Sequence, residues 1–350
     1  MTYSQEMGSR RASSIHESEQ NEQALLRQIR SRAAHSSLSS LRLGIGDDCA
    51  LLRPRSGEEL AVTTDLSIAG RHFRLDWHSP ESIGHRALAR GLSDLAAMGA
   101  RPVAGFLSLG LPRELTVASG WKPAWIQRFF DGLLALAATY KTPLAGGDLS
   151  ESPVAVADIV LIGAVPRGKA LLRSTARPGN LLYVTGSLGG AATALARLEE
   201  LVTDKPSSQP PRIPKNLEAV LAPHLYPQPR VRQGLWLVHQ GPASAAIDLS
   251  DGLSTDLAHI CEESGVAAEV NAAALPIYPA ATLQQALNGG EDYELLFTAP
   301  PTVRLPRKIA GIPITQIGRI LKCRLGRPAV TLLTPHGAQP LNPQGWQHFS

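Results

Sequence analysis

Between Leu60 and Ile320 the chain alternates short apolar runs with segments whose apolar residues recur at helical spacing. Its acidic residues gather in glycine-rich turns between them. Such alternation points to an α/β architecture, because successive strands and helices bury their apolar faces against one another in layers. The run ELAVTTD around Leu60 predicts a strand ending on Asp65. Ser79-Pro80-Glu81-Ser82 predicts a helix start, with Ser79 as N-cap and Pro80 at the first helical position. Ile83, Ala87, Leu88, Leu92, Leu95 and Ala96 follow at helical spacing until Gly99. PVAGFLSLGLP, PLAGGD and VAVADIVLIGAV predict further strands, with a helix from about Pro123 to Tyr140 after the first.

The pattern restarts near Pro166–Ala170, which divides the chain into an N-terminal domain over 41–166 and a C-terminal domain over 167–350. Residues 1–40 read as a polar tail with a helical pattern from near Glu19. In the second half NLLYVTG, VAAEVN, DYELLFTA and PITQIGRI predict strands. ASAAIDLSDGLSTDLAHICEESG reads as strand, acidic turn and helix. SLGG opens an Ala/Leu-rich helix, and the Pro- and Ser-rich stretch Thr203–Lys215 predicts a surface loop.

The formal net charge is +4, but Arg and Lys are scattered, with no basic run beyond Arg10-Arg11. That argues against a nucleic-acid stripe and suits a negatively charged small substrate. Cys49, Cys261 and Cys323 lie too far apart for a disulfide framework or a cysteine zinc site. No stretch of 18 apolar residues occurs, and no apolar segment follows the N-terminal arginines. A soluble, cytoplasmic protein is the expectation.

Only 30 of 350 residues are acidic, so their placement carries weight. Asp47-Asp48 follow Gly44-Ile45-Gly46, Asp65 follows Thr63-Thr64, and Asp148 follows Gly146-Gly147. Asp248 and Asp251 flank Ser250, Glu291-Asp292 follow Gly289-Gly290, and Asp94 lies among small and apolar helical neighbours. A single Gly-Asp turn is ordinarily backbone chemistry, and a lone helical Asp is ordinarily a solvated face. Several carboxylates at strand ends and turns, where open sheets bind ligands, read otherwise. Gathered carboxylates repel unless cations bridge them, and oxygen-only ligands select hard ions such as Mg²⁺ together with substrate phosphates. The P-loop, protein-kinase and G-x-S-x-G patterns are absent. Gly186-Ser187-Leu188-Gly189-Gly190 is a weak phosphate-loop candidate.

GIGDDCALL, TTDLSIAGRHF, LSDLAAMGARP, GGDLS, AIDLSDGLSTDL and GGEDYELLFT, in this order, resemble the successive signatures of the thiamine-monophosphate kinase family, and GWQHF extends the likeness toward the C-terminus. The resemblance implies two α/β domains of the aminoimidazole ribonucleotide synthetase-like fold, with the N-terminal domains pairing in a homodimer. It implies an enzyme that uses ATP and Mg²⁺ to phosphorylate thiamine monophosphate to thiamine diphosphate. It further implies metal binding by Asp48, Thr63, Thr64, Asp65, Asp94, Asp148, Asp248 and Asp251, with Asp65, Asp94 and Asp148 central to catalysis. Gly147, Asp148, Arg173 and Ser250 correspond to the nucleotide site, and His72, Glu291 and Trp346 to the thiamine phosphate site. Trp346, near the C-terminus, also reads as a simple apolar clasp.

The implied chemistry suits these residues. An acceptor phosphate is largely ionised at neutral pH and needs no general base. The obstacle is bringing two polyanions together, which positioning and charge neutralisation overcome. Within the same fold, selenophosphate synthetase would need a reactive cysteine ahead of Cys49, and none is present. The hydrogenase maturation relative would need a C-terminal cysteine where this sequence reads Phe349-Ser350. A non-catalytic binder of nucleotide or thiamine phosphate is the alternative from another class.

Overall fold

The computed structural model describes residues 26–33, 40–117, 124–203, 209–326 and 329–346. A helix, α1, covers residues 26–33; the rest of the helical pattern expected from Glu19 lies outside the described residues, as does the middle of the Thr203–Lys215 loop.

A small ribbon, β1 (Leu41–Leu43) with β2 (Leu51–Leu52), precedes the first large sheet. That sheet contains β3 (Glu58–Ile68), β4 (Arg101–Leu111), β5 (Leu144–Glu151) and β6 (Val156–Pro166), in the order β3-β6-β4-β5. Helices α2 (Pro80–Ala97) and α3 (Trp125–Tyr140) cover one face. Ser79 caps α2 by accepting the Ser82 amide at 3.2 Å, with Pro80 in the first turn, as the sequence predicts. β3 runs past Asp65 to Ile68, because β6 offers partners as far as Ile68↔Val156. Asp65 therefore stands inside a strand, not at its end.

The second sheet follows the order β14-β13-β9-β12-β7-β10-β8. Its strands are β7 (Leu181–Thr185), β8 (Ala245–Asp248), β9 (Val266–Asn271), β10 (Leu295–Ala299), β12 (Ile312–Lys322), β13 (Val330–Thr334) and β14 (Gly337–Pro340), with β11 (Lys308–Ile309) paired to β12. Its helices are α4 (Gly190–Thr203), α5 (Lys215–Leu225), α6 (Val231–Gln240), α7 (Leu253–Ser264) and α8 (Leu283–Asn288). No helix among the described residues is long and apolar enough to cross a membrane.

α2 joins the two halves. It packs on α3, β3 and β6 on one side and on α6 and β8 on the other. That is why His85, Arg86 and Ser93 are buried in it along with its leucines. A helix enclosed this way must find a partner for every polar side chain it carries. The partners it finds form the site.

Candidate active site

A cavity of about 510 Å³, well sized for a small-molecule ligand, lies where α2 meets the second sheet. Its wall includes Asp65, His72, Asp94, Asp248, Ser250, Asp251, Glu291 and Trp346. Residues singled out in five separate sequence strings thus converge on one space.

Three carboxylates form its floor. Asp65 projects from β3 toward Arg90 and Asp94 of α2, and Thr63, two residues earlier on the same strand face, donates its hydroxyl to Asp94. Ser93 donates to Asp248, the last residue of β8, at 2.7 Å. Burial pushes Asp65 up to about 6; Arg90 partly opposes this and Asp94 adds to it. Burial likewise raises Asp94 against the Thr63 hydrogen bond and the charges of Arg173 and Arg90. Asp248 is pushed up to about 7, by burial and then by the charge of Asp94. Arg173, exposed in the short 3₁₀ turn Arg173–Thr175, lies outside the cavity wall but draws Asp94 and Asp248 back down. Three neighbouring acids held above their usual range by burial are a site awaiting positive charge. Their all-oxygen donor set fits a hard divalent cation such as Mg²⁺.

The turn after β8 is shaped by a residue the sequence reading passed over. Asp256, in the first turn of α7, accepts the amides of Asp251 at 3.1 Å and Gly252 at 3.0 Å. Burial, then Asp248 and Asp251, raise it to about 8. The C-terminal segment docks on this turn: the Trp346 amide donates to the Asp251 carbonyl at 3.2 Å, and the Gly345 amide to Thr255 at 3.0 Å. A Cβ at Gly345 would sit 1.9 Å from the Asp251 carbonyl, so only glycine allows this approach. Trp346 remains 47% exposed while lining the cavity, so its ring is not a buried clasp. Gln347, His348 and Phe349 of the GWQHF string lie outside the described residues.

The opposite wall is a buried polar network. Glu291 accepts from Arg86 on Oε1 at 2.7 Å and on Oε2 at 2.9 Å, and His224 Nδ1 stands 3.2 Å from that Oε2. Arg86 also donates to the carbonyls of His224 at 2.9 Å and His72 at 3.1 Å. His78 and His224 meet through their Nε2 atoms at 2.9 Å. Burial alone would raise Glu291, but Arg86 and His224 outweigh it and hold the carboxyl well below its usual range. Burial, then Arg86 and His224, depress His78 to about 3. The His72 ring is fixed by the Ile68 amide, which donates to its Nδ1 at 3.1 Å. Glu291 and Tyr293 both adopt positive φ, at 66° and 50°, a conformation that non-glycine residues hold only where the surroundings impose it.

Other expected site residues stand elsewhere. Across the first sheet Asp148 pairs with Ser108, Ser108 with Asp158, and Asp158 with Leu66. Side chains alternate along a strand, so Asp148 and Thr64 share the face opposite to Asp65 and Thr63. Asp48 is exposed between β1 and β2, a ribbon that packs with Phe106 and Ile162 of that other face. Gly147, φ +148°, presses against β4, where a Cβ would lie 2.0 Å from the Leu107 carbonyl. The Gly186–Gly190 turn is no phosphate cradle. The Gly186 and Leu188 amides donate to the carbonyls of Pro313 at 3.0 Å and Pro276 at 2.9 Å, and Asp292 accepts from Gly189 at 2.6 Å and from Ala191, just after the turn, at 3.0 Å.

Arg86, Arg90, His224 and Asp256 are the residues that sequence reasoning missed. The available signal was the position of Arg86 and Arg90, one turn apart in α2 and in phase with the apolar residues of its buried face.

Comparison with known proteins bears on the fold and the family. Residues 46–165 match the N-terminal domain of AIR synthase related proteins, and residues 177–326 match their C-terminal domain. The thiamine-monophosphate kinase of Escherichia coli strain K12 is 40% identical over 297 residues, spanning 81% of this chain and 86% of that protein. The crystal structure of thiamine-monophosphate kinase from Stenotrophomonas maltophilia superposes with a TM-score of 0.73 at 39% identity, covering 88% of this chain and 95% of the other. AaThiL complexed with AMPPCP and TMP gives a TM-score of 0.71 at 30% identity over 93% and 96% of the two chains.

Proposed function

Since this chain belongs to the thiamine-monophosphate kinase family, we propose that its cavity aligns ATP and thiamine monophosphate for direct in-line transfer of the γ-phosphoryl group. One observation carries the reading. A cluster of the half-buried Asp65 and Asp94 with the buried Asp248 shares a single cavity with His72, Glu291 and Trp346. A phosphate acceptor at one end and a cationic, aromatic body at the other match that division.

Asp65, Asp94 and Asp248 would hold magnesium, with Asp251 at the edge of the same wall. Bound there, Mg²⁺ supplies neutralisation of the charge on the two phosphate groups. Thr63 orients Asp94, and Ser93 orients Asp248, so these oxygens keep their directions. Ser250 and Arg173 are assigned to ATP. Trp346 offers an aromatic face to the thiazolium cation. Glu291 has its charge committed to Arg86, so it serves as an oriented acceptor for the polar edge of the substrate. No side chain has to remove a proton, because the acceptor phosphate is already ionised.

Asp48, Thr64, Gly147 and Asp148 belong to the reading through the family motif, and we place them with the nucleotide and its metals. Asp48 stands in the ribbon packed on the sheet face opposite to Asp65, and Thr64 and Asp148 share that face with the exposed apolar Leu60, Val62 and Leu66 of β3. Those side chains are the apolar surface on which we propose that two subunits pair. A cytoplasmic location accords with this biosynthetic role.

The test is incubation with Mg·ATP and thiamine monophosphate, followed by chromatography for thiamine diphosphate, with free thiamine as the parallel acceptor. Product from thiamine monophosphate alone supports the reading. Equal turnover of thiamine, or no product from either, refutes it.

A further inference from the structure

Arg90 lies one helical turn before Asp94 on α2 and lines the same cavity. Its guanidinium is close enough to Asp65, Glu291 and Tyr293 to feel all three. It therefore adjoins both the carboxylate floor and the wall assigned to thiamine.

Its hold on the protein is loose. Nε donates to Asp65 Oδ1 at 3.3 Å, and NH2 stands 3.2 Å from that same oxygen. Both contacts are long and spend two donors on one oxygen, and NH1 has no hydrogen bond among the described residues. Arg86, one turn earlier, shows the alternative: short contacts to Glu291 plus two backbone carbonyls. The remaining arginines of the cavity wall, Arg71 and Arg74, are exposed, and Arg74 is bound to Asp76 at 2.7 Å and stacked on Trp77. Among the described residues of the wall, Arg90 is the half-buried arginine with hydrogen-bonding capacity to spare. A planar fork of donors beside a cavity matches the oxygens of a phosphate better than a single carboxylate oxygen does.

We propose that Arg90 is a ligand of the acceptor phosphate. On binding of thiamine monophosphate its guanidinium exchanges the long contact with Asp65 for a forked contact with the phosphate oxygens. This selects the phosphorylated substrate over free thiamine. The inference rests on the reading above, in which this cavity takes thiamine monophosphate.

The test is calorimetric titration of the full chain with thiamine monophosphate and, separately, with thiamine, with magnesium present and ATP absent. Wild type should bind the phosphorylated ligand more tightly. Arg90→Gln should weaken thiamine monophosphate roughly 10- to 100-fold, the scale of a charge-assisted hydrogen bond, and leave thiamine within about twofold. Equal losses for both ligands, no loss for either, or no preference in wild type would overturn the assignment. If Arg90→Gln gives no cooperative melt, Arg90→Lys carries the test. Its point charge should cost less, still on the phosphorylated ligand alone, and an equal loss on both ligands overturns the proposal. Failure of wild type to form thiamine diphosphate refutes the underlying reading instead, and the two results are read in separate assays.

Discussion

Glu291 of the C-terminal domain and Arg86 of the N-terminal domain form a two-oxygen ion pair, 205 positions apart in sequence, at 2.7 and 2.9 Å. Arg86 is 5% exposed. The pair therefore fastens the two domains beside the cavity and sets the direction of Glu291. Arg86 also holds the His72 carbonyl, so one guanidinium positions two residues of the proposed thiamine wall.

Replacing Arg86 by Met should strip Glu291 of its main partner and leave His224, at 3.2 Å, as the remaining contact. Breaking a buried pair from one side costs about 3–5 kcal/mol. A lower melting temperature should accompany a raised KM for thiamine monophosphate and a nearly unchanged KM for ATP. Arg86→Lys, which keeps the charge and loses the fork, should fall between. Equal rises in both KM values would mean that Arg86 supports the fold generally and does not position the substrate wall.

Asp65→Asn and Asp94→Asn each remove a charge from the repelling floor of the cavity. Single-turnover transfer should fall by about 10²- to 10³-fold, as when a group that stabilises transition-state charge is lost. Melting without magnesium should hold or rise, because burial already raises both carboxyls. Near-wild-type transfer in both variants would remove these residues from the chemistry.

Trp346→Ala should raise the KM for thiamine monophosphate roughly 10- to 30-fold, as a desolvated cation–π contact of about 2 kcal/mol allows. The KM for ATP should barely move, and Trp346→Phe should be intermediate. A drop in melting temperature with no change in substrate KM would restore the clasp reading, against the exposure of the ring.

The metal-free protein should lose stability as pH rises from about 5 to about 8.5. Asp248 at about 7, Asp292 at about 7 and Asp256 at about 8 are raised over their unfolded values, so above the ordinary carboxylate range the folded state holds extra protons. Stability falls as pH rises through the folded values and those protons leave. His78, at about 3, stays neutral in the fold while the unfolded chain takes up a proton below about 6.5, which opposes the trend there. With His85 and His224, also depressed by burial, it stands against five raised carboxyls once Asp65 and Asp94 are counted. Melting curves from pH 5 to 8.5 in chelator measure the slope. Asp248→Asn should flatten it, and a variant as pH-sensitive as wild type would contradict this account.

What the sequence by itself determined is local. Ser79-Pro80 begins α2, the DLSDG string turns from β8 into α7, and GGEDYE precedes β10, because caps and turns depend on backbone chemistry within a few residues. Asp65, Asp94, Asp248, Glu291 and Trp346 could be named for the same reason, as members of short strings that carry their own context. Only the tertiary structure decided which of them share a space. Strand register placed Asp148 on the sheet face opposite to Asp65, although both were expected in one cluster. Packing on both sides of α2 enclosed Arg86 and Arg90 and required partners for them. Those partners lie 205 and 25 positions away and were invisible until the chain had folded. The amides of Gly189 and Ala191 went to Asp292, and not to a phosphate, because a buried carboxylate about a hundred residues downstream folds back onto the turn.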